Sequence, residues 1–271
     1  MLALAVESAT DTAAVSLADE NGGLGSVVVA RGRRHTETIA PAVEALCRLT
    51  GTALSDLDVL GVDVGPGLFT GLRVGVGTVK ALSFALGVPV VAVTSLEILA
   101  HALAGSGVSA GRLLVPVVDA RRGGVFSARF RSGAGDTTGT GDTAGTAGTA
   151  GTTAVAVTGA VEAVSGAGAE AVWTPETLAA DLAAQSQPLL LAGDGALRYG
   201  ALFGSLPGVT LAGPAYVSPP VTVLAGLTVT RGLAGRVDDG AAVMPRYLRE
   251  VDARINWEQR ATPRAATAAG G

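Results

Sequence analysis

Apolar positions come in short runs at the start of the chain, and their period then lengthens. Met1 to Ser8, Thr12 to Asp19 and Gly25 to Gly32 are apolar or alternating, separated by Asp, Asn and Gly. This pattern predicts three strands in an antiparallel meander. From His35 the spacing becomes helical: Ile39, Val43, Leu46 and Leu49 share a face, and Gly51 is placed to end it. Pro41 must sit in the first turn or bend that helix. Leu57 to Gly67 predicts a strand running into a turn. A helix from Thr70 to Leu86 follows, with Thr70 able to cap it and Gly87 to stop it. Val88 to Ser95 predicts a buried strand, and Ser95 a cap for the next helix.

The pattern then restarts. Arg112 to Arg131 opens two more strands. Residues 132–153 are Gly, Thr, Ala, Asp and Ser only, a composition that cannot bury a core and reads as a flexible insertion in a hairpin. Thr174 and Pro175 have the chemistry of a helix cap and first helical position. A strand ends in "AGDGA", a short helix follows, and a last apolar helix begins after Ser218 and Pro219. Two halves, each with strands first and then alternating helices and strands, predict a duplicated α/β fold with a five-stranded mixed sheet per half. The expected boundaries are residues 1–105, 106–217, a final helix with "PRYLR" over 218–250, and a disordered tail at 251–271.

"VGPGLFTGLRVGVGTVK" looks at first like a phosphate loop, but its spacing fails. A P-loop needs Gly-Lys followed by Ser or Thr, and the chain has no Gly-Lys pair. Gly75 and Gly77 begin a dinucleotide fingerprint whose third place is Lys80, and both lie inside the helix pattern. Gly67, Gly71 and Gly75 instead recur every four residues, along one helix face. Each costs about 1 kcal/mol against Ala in a helix, so a close approach must compensate. The partner is either the domain's own sheet or another chain; spacing leaves both open, and leaves Phe69 outward or tucked under.

Composition narrows the chemistry. The 271 residues are 48% hydrophobic with a net charge of −4, so no overall basic field attracts nucleic acid. A lone Cys47 excludes an internal disulfide and suits a reducing cytoplasm. The N-terminus lacks a basic region and reads as a strand, not a leader, and no run predicts a membrane span. His35 has Ile39 and His101 has Gly105 where a helical two-histidine metal site needs a second His. No G-x-S-x-G elbow occurs. Glu7, Asp11, Asp63 and Asp119 are the candidate acids, and Glu7 and Asp119 end the opening strand of each half, as if flanking a cleft. Gly193 and Gly195 either approach a nucleotide or make a tight turn. Arg121 and Arg122 read as a phosphate contact or a solvated turn, and Arg31, Arg33 and Arg34 as a local basic patch or a solvated turn.

"GPGLFTGLRVGVGTVKALSFALGVPVVAVTSLE", "LAVESATDTAAVSLAD", "GRRHTETIAPAVEAL", "DARRGGVF" and "PRYLR" resemble the TsaB (YeaZ) family of bacterial tRNA threonylcarbamoyladenosine biosynthesis proteins. The resemblance implies an actin-like ATPase fold of two βββαβαβα-type subdomains. It implies a non-catalytic subunit, with no protease activity, that pairs with TsaD and is joined by TsaE. That complex transfers a threonylcarbamoyl group from threonylcarbamoyl-AMP to N6 of adenosine 37 in tRNAs reading ANN codons. The implied pairing surface, to TsaD or to a second copy, is the first two helices, with His35, Ile39, Val43, Leu46, Phe69, Gly71, Leu72, Gly75, Val76 and Val79. A weak nucleotide cleft would involve Glu7, Asp119, Gly193 and Gly195. The resemblance implies no metal, no cofactor of its own, ATP or ADP in the assembled complex, tRNA reached through the complex, a cytoplasmic location and no membrane. Gly124 departs from the family pattern, where an acidic residue is expected. The rival readings are an autonomous actin-fold ATPase or small-molecule kinase, and a tRNA-binding module.

Overall fold

The computed structural model describes residues 1–30, 34–132 and 161–248. Arg31, Arg33, most of the 132–153 insertion and the 251–271 tail lie outside these residues.

The first lobe runs β1 (Ala3–Glu7), β2 (Ala13–Asp19), β3 (Gly22–Val29), α1 (His35–Thr50), β4 (Val59–Asp63), α2 (Phe69–Leu86), β5 (Val90–Val93) and α3 (Ser95–Ala104). Its sheet has the order β3-β2-β1-β4-β5. Strand β1 is antiparallel to β2 and parallel to β4. The strand period of two sorts side chains by size. Leu4, Val6, Leu60 and Val62 face α1 and α2, meeting Ile39, Val43, Leu46, Val76 and Val79 in one core. Ala3, Ala5, Ala14 and Val59 face the other way, and their small side chains admit a helix at short range.

The second lobe runs β6 (Leu113–Arg121), β7 (Gly124–Ser127), β8 (Phe130–Ser132), β9 (Val161–Ala163), β10 (Ala171–Trp173), α4 (Pro175–Ala183), β11 (Leu189–Ala192), α5 (Asp194–Arg198), α6 (Gly200–Phe203), β12 (Val209–Leu211) and α7 (Val221–Leu233). Its sheet has seven strands where five were expected: the path β10-β7-β6-β11-β12 repeats the order of the first lobe, and β8 and β9 are added beside β6. Strand β6 carries Pro116 in a central position, where no N–H is available to the ladder. The antiparallel neighbour changes there: β8 pairs with Leu113 and Leu114, and β7 pairs from Val117 onward. The Ser127 hydroxyl donates to the Pro116 carbonyl at 2.9 Å across the break. Strands β8 and β9 pair from Ser132 to Val161, so they flank the insertion as a hairpin.

The last helix of each lobe covers the other lobe's sheet. Helix α3 sets Leu96, Leu99 and Leu103 against Leu114, Val118 and Leu190. Helix α7 sets Leu224, Ala225 and Leu227 against the alanine face of the first sheet. A Cβ on Gly61 of β4 would lie 2.0 Å from the Thr228 hydroxyl oxygen, so α7 needs glycine there. Residues 235–248 then return along β5 and α2 as a strap. Asp238 and Val90 exchange backbone hydrogen bonds at 2.6 and 3.1 Å, which covers the β5 edge.

Several predicted caps move by one residue or more. Thr94, not Ser95, caps α3, accepting from the Glu97 N–H, because the Ser95 hydroxyl is bonded to Asp63. Helix α2 starts at Phe69 with Leu68 as the flanking residue, so Thr70 lies inside it. Helix α7 starts at Val221, and the Ser218 hydroxyl bonds Thr10 and Thr12 instead of capping it. Pro41 sits past the first turn of α1, on its exposed side. Thr174 with Pro175, Gly51 and Gly87 act as their sequence predicts. Among the described residues no helix is long and apolar enough to cross a membrane.

Candidate functional site

Parallel strands β1 and β4 end side by side on Glu7 and Asp63, both fully buried. The second lobe repeats the pair: β6 carries Asp119, and Asp194 follows β11. Glu7 Oε1 accepts from the Ala9 N–H at 2.9 Å, while Oε2 has no hydrogen-bond partner among the described residues. Burial, then the neighbouring Asp63, push the Glu7 carboxyl well above the ordinary range. Burial pushes Asp63 up to about 7, against hydrogen bonds from the Gly65 N–H and the Ser95 hydroxyl. Burial likewise raises Asp194, whose Oδ1 accepts from the Asp119 N–H at 2.8 Å.

Arginines occupy the space between the lobes. Arg121 reaches Asp119 of its own lobe at 3.1 Å and Asp11 of the other at 2.7 Å. Arg198 adds a second contact to Asp119 at 3.0 Å. Arg121 and Arg122 both hold left-handed backbone, with φ of 58° and 48°, in the turn that aims them. Gly193 and Gly195 are explained by the chain's own backbone. A Cβ on Gly193 would lie 2.1 Å from the Val117 carbonyl oxygen, and one on Gly195 3.0 Å from the Asp119 nitrogen. Both glycines are buried against β6, so the tight packing of this turn accounts for them. At Gly124 an added Cβ would meet nothing nearer than 3.5 Å, so sterics do not require glycine there. Among the described residues, no three or more His, Cys, Asp or Glu gather into a group that could hold a metal ion.

The glycine stripe also turns inward. A Cβ on Gly67 would lie 2.2 Å from the Ala9 carbonyl oxygen, one on Gly71 2.0 Å from that of Ser8, and one on Gly75 2.2 Å from Ser8 Oγ. The stripe therefore lets α2 rest on the turn after β1, and the own-domain alternative holds. His35 is buried beside it, with Nε2 2.9 Å from the Thr10 carbonyl.

This corrects the predicted pairing set. His35, Ile39, Val43, Leu46, Gly71, Leu72, Gly75, Val76 and Val79 are all buried within this chain. They hold α1 and α2 in place and are not available at the surface, because helical periodicity marks the core face first. Phe69 is half-buried, stacked with Tyr247 at 5.1 Å and under Arg73 at 3.9 Å. The outward face of α2 is a different set: Thr70, Arg73, Gly77, Ala81, Phe84 and Ala85. Phe84 is 93% exposed, and a Cβ on Gly77 would meet nothing within 4 Å. Leu49 of α1, placed on the apolar face by its spacing, is 77% exposed. Lys80 donates to the carbonyls of Ala241 at 2.8 Å and Val243 at 3.0 Å, so it anchors the strap. Cys47 packs half-buried against the first-lobe core. Arg34 is exposed beside Glu37.

Two lobes with one strand order, joined by exchanged helices around a central cleft, make this a protein of the duplicated actin-like fold. A family model described as TsaD: tRNA N6-adenosine threonylcarbamoyltransferase matches residues 13–185, more than half of the chain, and the chain belongs to that family. The tRNA threonylcarbamoyladenosine biosynthesis protein TsaB of Bacillus subtilis is 33% identical over 131 residues, 48% of this chain and 56% of that protein. TsaB of Escherichia coli is 33% identical over 131 residues, 48% of this chain and 55% of that protein. The chain thus spans about half the length of the curated relatives it matches. YeaZ from Pseudomonas aeruginosa superposes with a TM-score of 0.71 at 26% identity, covering 91% of this chain and 99% of that one. These relatives agree with the resemblance to TsaB and YeaZ read from the sequence.

Proposed function

We propose that this chain is a non-catalytic docking subunit in tRNA threonylcarbamoyladenosine biosynthesis. It pairs with a TsaD-type transferase through the outward faces of α1 and α2. The observation that carries the reading is the outer face of α2, where Phe84 stands 93% exposed on a helix whose other apolar residues are mostly covered. Gly77 supports it: an exposed glycine inside a helix costs about 1 kcal/mol, and nothing among the described residues uses the space it leaves. A partner helix can come close there.

The cleft supports the non-catalytic half of the reading. A nucleotide with its cation asks for ionised carboxylates and for turns with free backbone N–H groups. Here Arg121 spans the turns of both lobes, Asp119 is bound by two arginines, and burial disfavours the ionised form of Glu7. These residues do not fit such a site. ATP or ADP, TsaE and tRNA belong in this reading to the assembled complex.

Reconstitution tests it. The purified chain should neither hydrolyse ATP nor modify tRNA. With a TsaD-type chain, TsaE and threonylcarbamoyl-AMP, modified adenosine should form, and omitting this chain should abolish it. ATP turnover by the isolated chain would favour the autonomous ATPase instead.

A further inference from the structure

The end of the strap touches three places in alternation. Arg246 Nη2 lies 3.0 Å from Glu170 Oε2, beside β10 of the second lobe. Tyr247 stacks on Phe69 at the start of α2, and its hydroxyl accepts from Arg73 Nε at 3.3 Å. Leu248 packs into the apolar cluster of α3 and the second sheet. Arg246 and Leu248 thus contact the second lobe and Tyr247 contacts α2. Glu170 is only 14% exposed and also accepts from Thr94, the cap of α3, at 2.9 Å. The Arg246 N–H also donates to the Val64 carbonyl at 2.7 Å, just past β4.

We propose that the strap links the outer end of α2 to the junction of the two lobes at Glu170. A change at Tyr247 displaces Arg246 and Leu248 together, and loosens β10 and the start of α3. The link itself is a property of the free chain. It rests on the docking reading only for what sits on α2 and works it.

Hydrogen exchange on the full chain without any partner tests this. Tyr247 touches nothing on β10, yet Tyr247→Ala should speed exchange of the Ala171–Trp173 amides about threefold or more, as local opening predicts. Arg246→Gln should do the same, and the double variant should be no faster than the faster single. Tyr247→Phe, which keeps the stacked ring, should match the unsubstituted chain. Acceleration confined to the strap and the first turn of α2 would overturn the proposal. So would a uniform acceleration that includes β11, since that is general destabilisation. Failure of the docking reading shows separately, as no protection of α2 when a TsaD-type chain is added.

Discussion

The Ser8 hydroxyl donates to the Gly71 carbonyl at 2.9 Å, and the Ser8 carbonyl oxygen lies 2.0 Å from where a Gly71 Cβ would be. Helix α2 is thus laid directly on the turn that follows β1. Gly77, on the same helix, meets nothing. Substitution at the two should have opposite signs. Gly71→Ala should lower stability by about 2–3 kcal/mol, because the obstacle is backbone and cannot rotate away. Gly77→Ala should raise it by about 0.5–1 kcal/mol through helix propensity alone. Urea midpoints of the two variants check both signs.

Stability should fall as pH rises toward neutrality. Asp63 is raised from 3.8 to about 7, and Glu7 is raised in the same direction. The folded state therefore binds more protons than the unfolded chain between those values. This contribution is full below the ordinary carboxylate range and is lost as pH passes the folded-state values. Asp63→Asn, which still accepts from the Gly65 N–H, should flatten the dependence between about pH 5 and pH 8 in urea titrations. An unchanged slope would contradict the burial argument.

Lys80 fastens the strap through two carbonyls. Lys80→Met keeps most of its apolar stem and removes both bonds. It should cost about 1 kcal/mol and accelerate exchange across residues 238–246, with less effect on β1 and β4. Unaltered exchange in the strap would show that Asp238 and Arg246 hold it without Lys80.

The element order of the first lobe, the mixed sheet class and the failure of every phosphate motif were legible in the sequence, because period and turn chemistry are local; the three-residue strands β9, β10 and β12 were too short to show a period. The exchange of α3 and α7 between lobes was not, since an apolar helix face does not say which sheet it meets. The same limit displaced the pairing residues. Ile39, Val43 and Val76 repeat at helical spacing because they fill this chain's own core. Gly77 and Phe84 carry no periodic signal that separates a surface from a docking face. The cap at Thr94 depended on Asp63, 32 residues from Ser95 in sequence, which claims the Ser95 hydroxyl. The cross-lobe reach of Arg121 to Asp11 spans 110 residues and is a tertiary fact.

The central claim is that the outer face of α2 docks a TsaD-type chain, and the direct measurement is the affinity between the two purified proteins. Phe84 is 93% exposed and a Cβ on Gly77 would meet nothing within 4 Å among the described residues, so Phe84→Glu and Gly77→Leu should both fold as the unsubstituted chain does. Each should weaken the affinity at least about tenfold, or 1.4 kcal/mol. Affinity unchanged in both, with folding intact, would contradict the account.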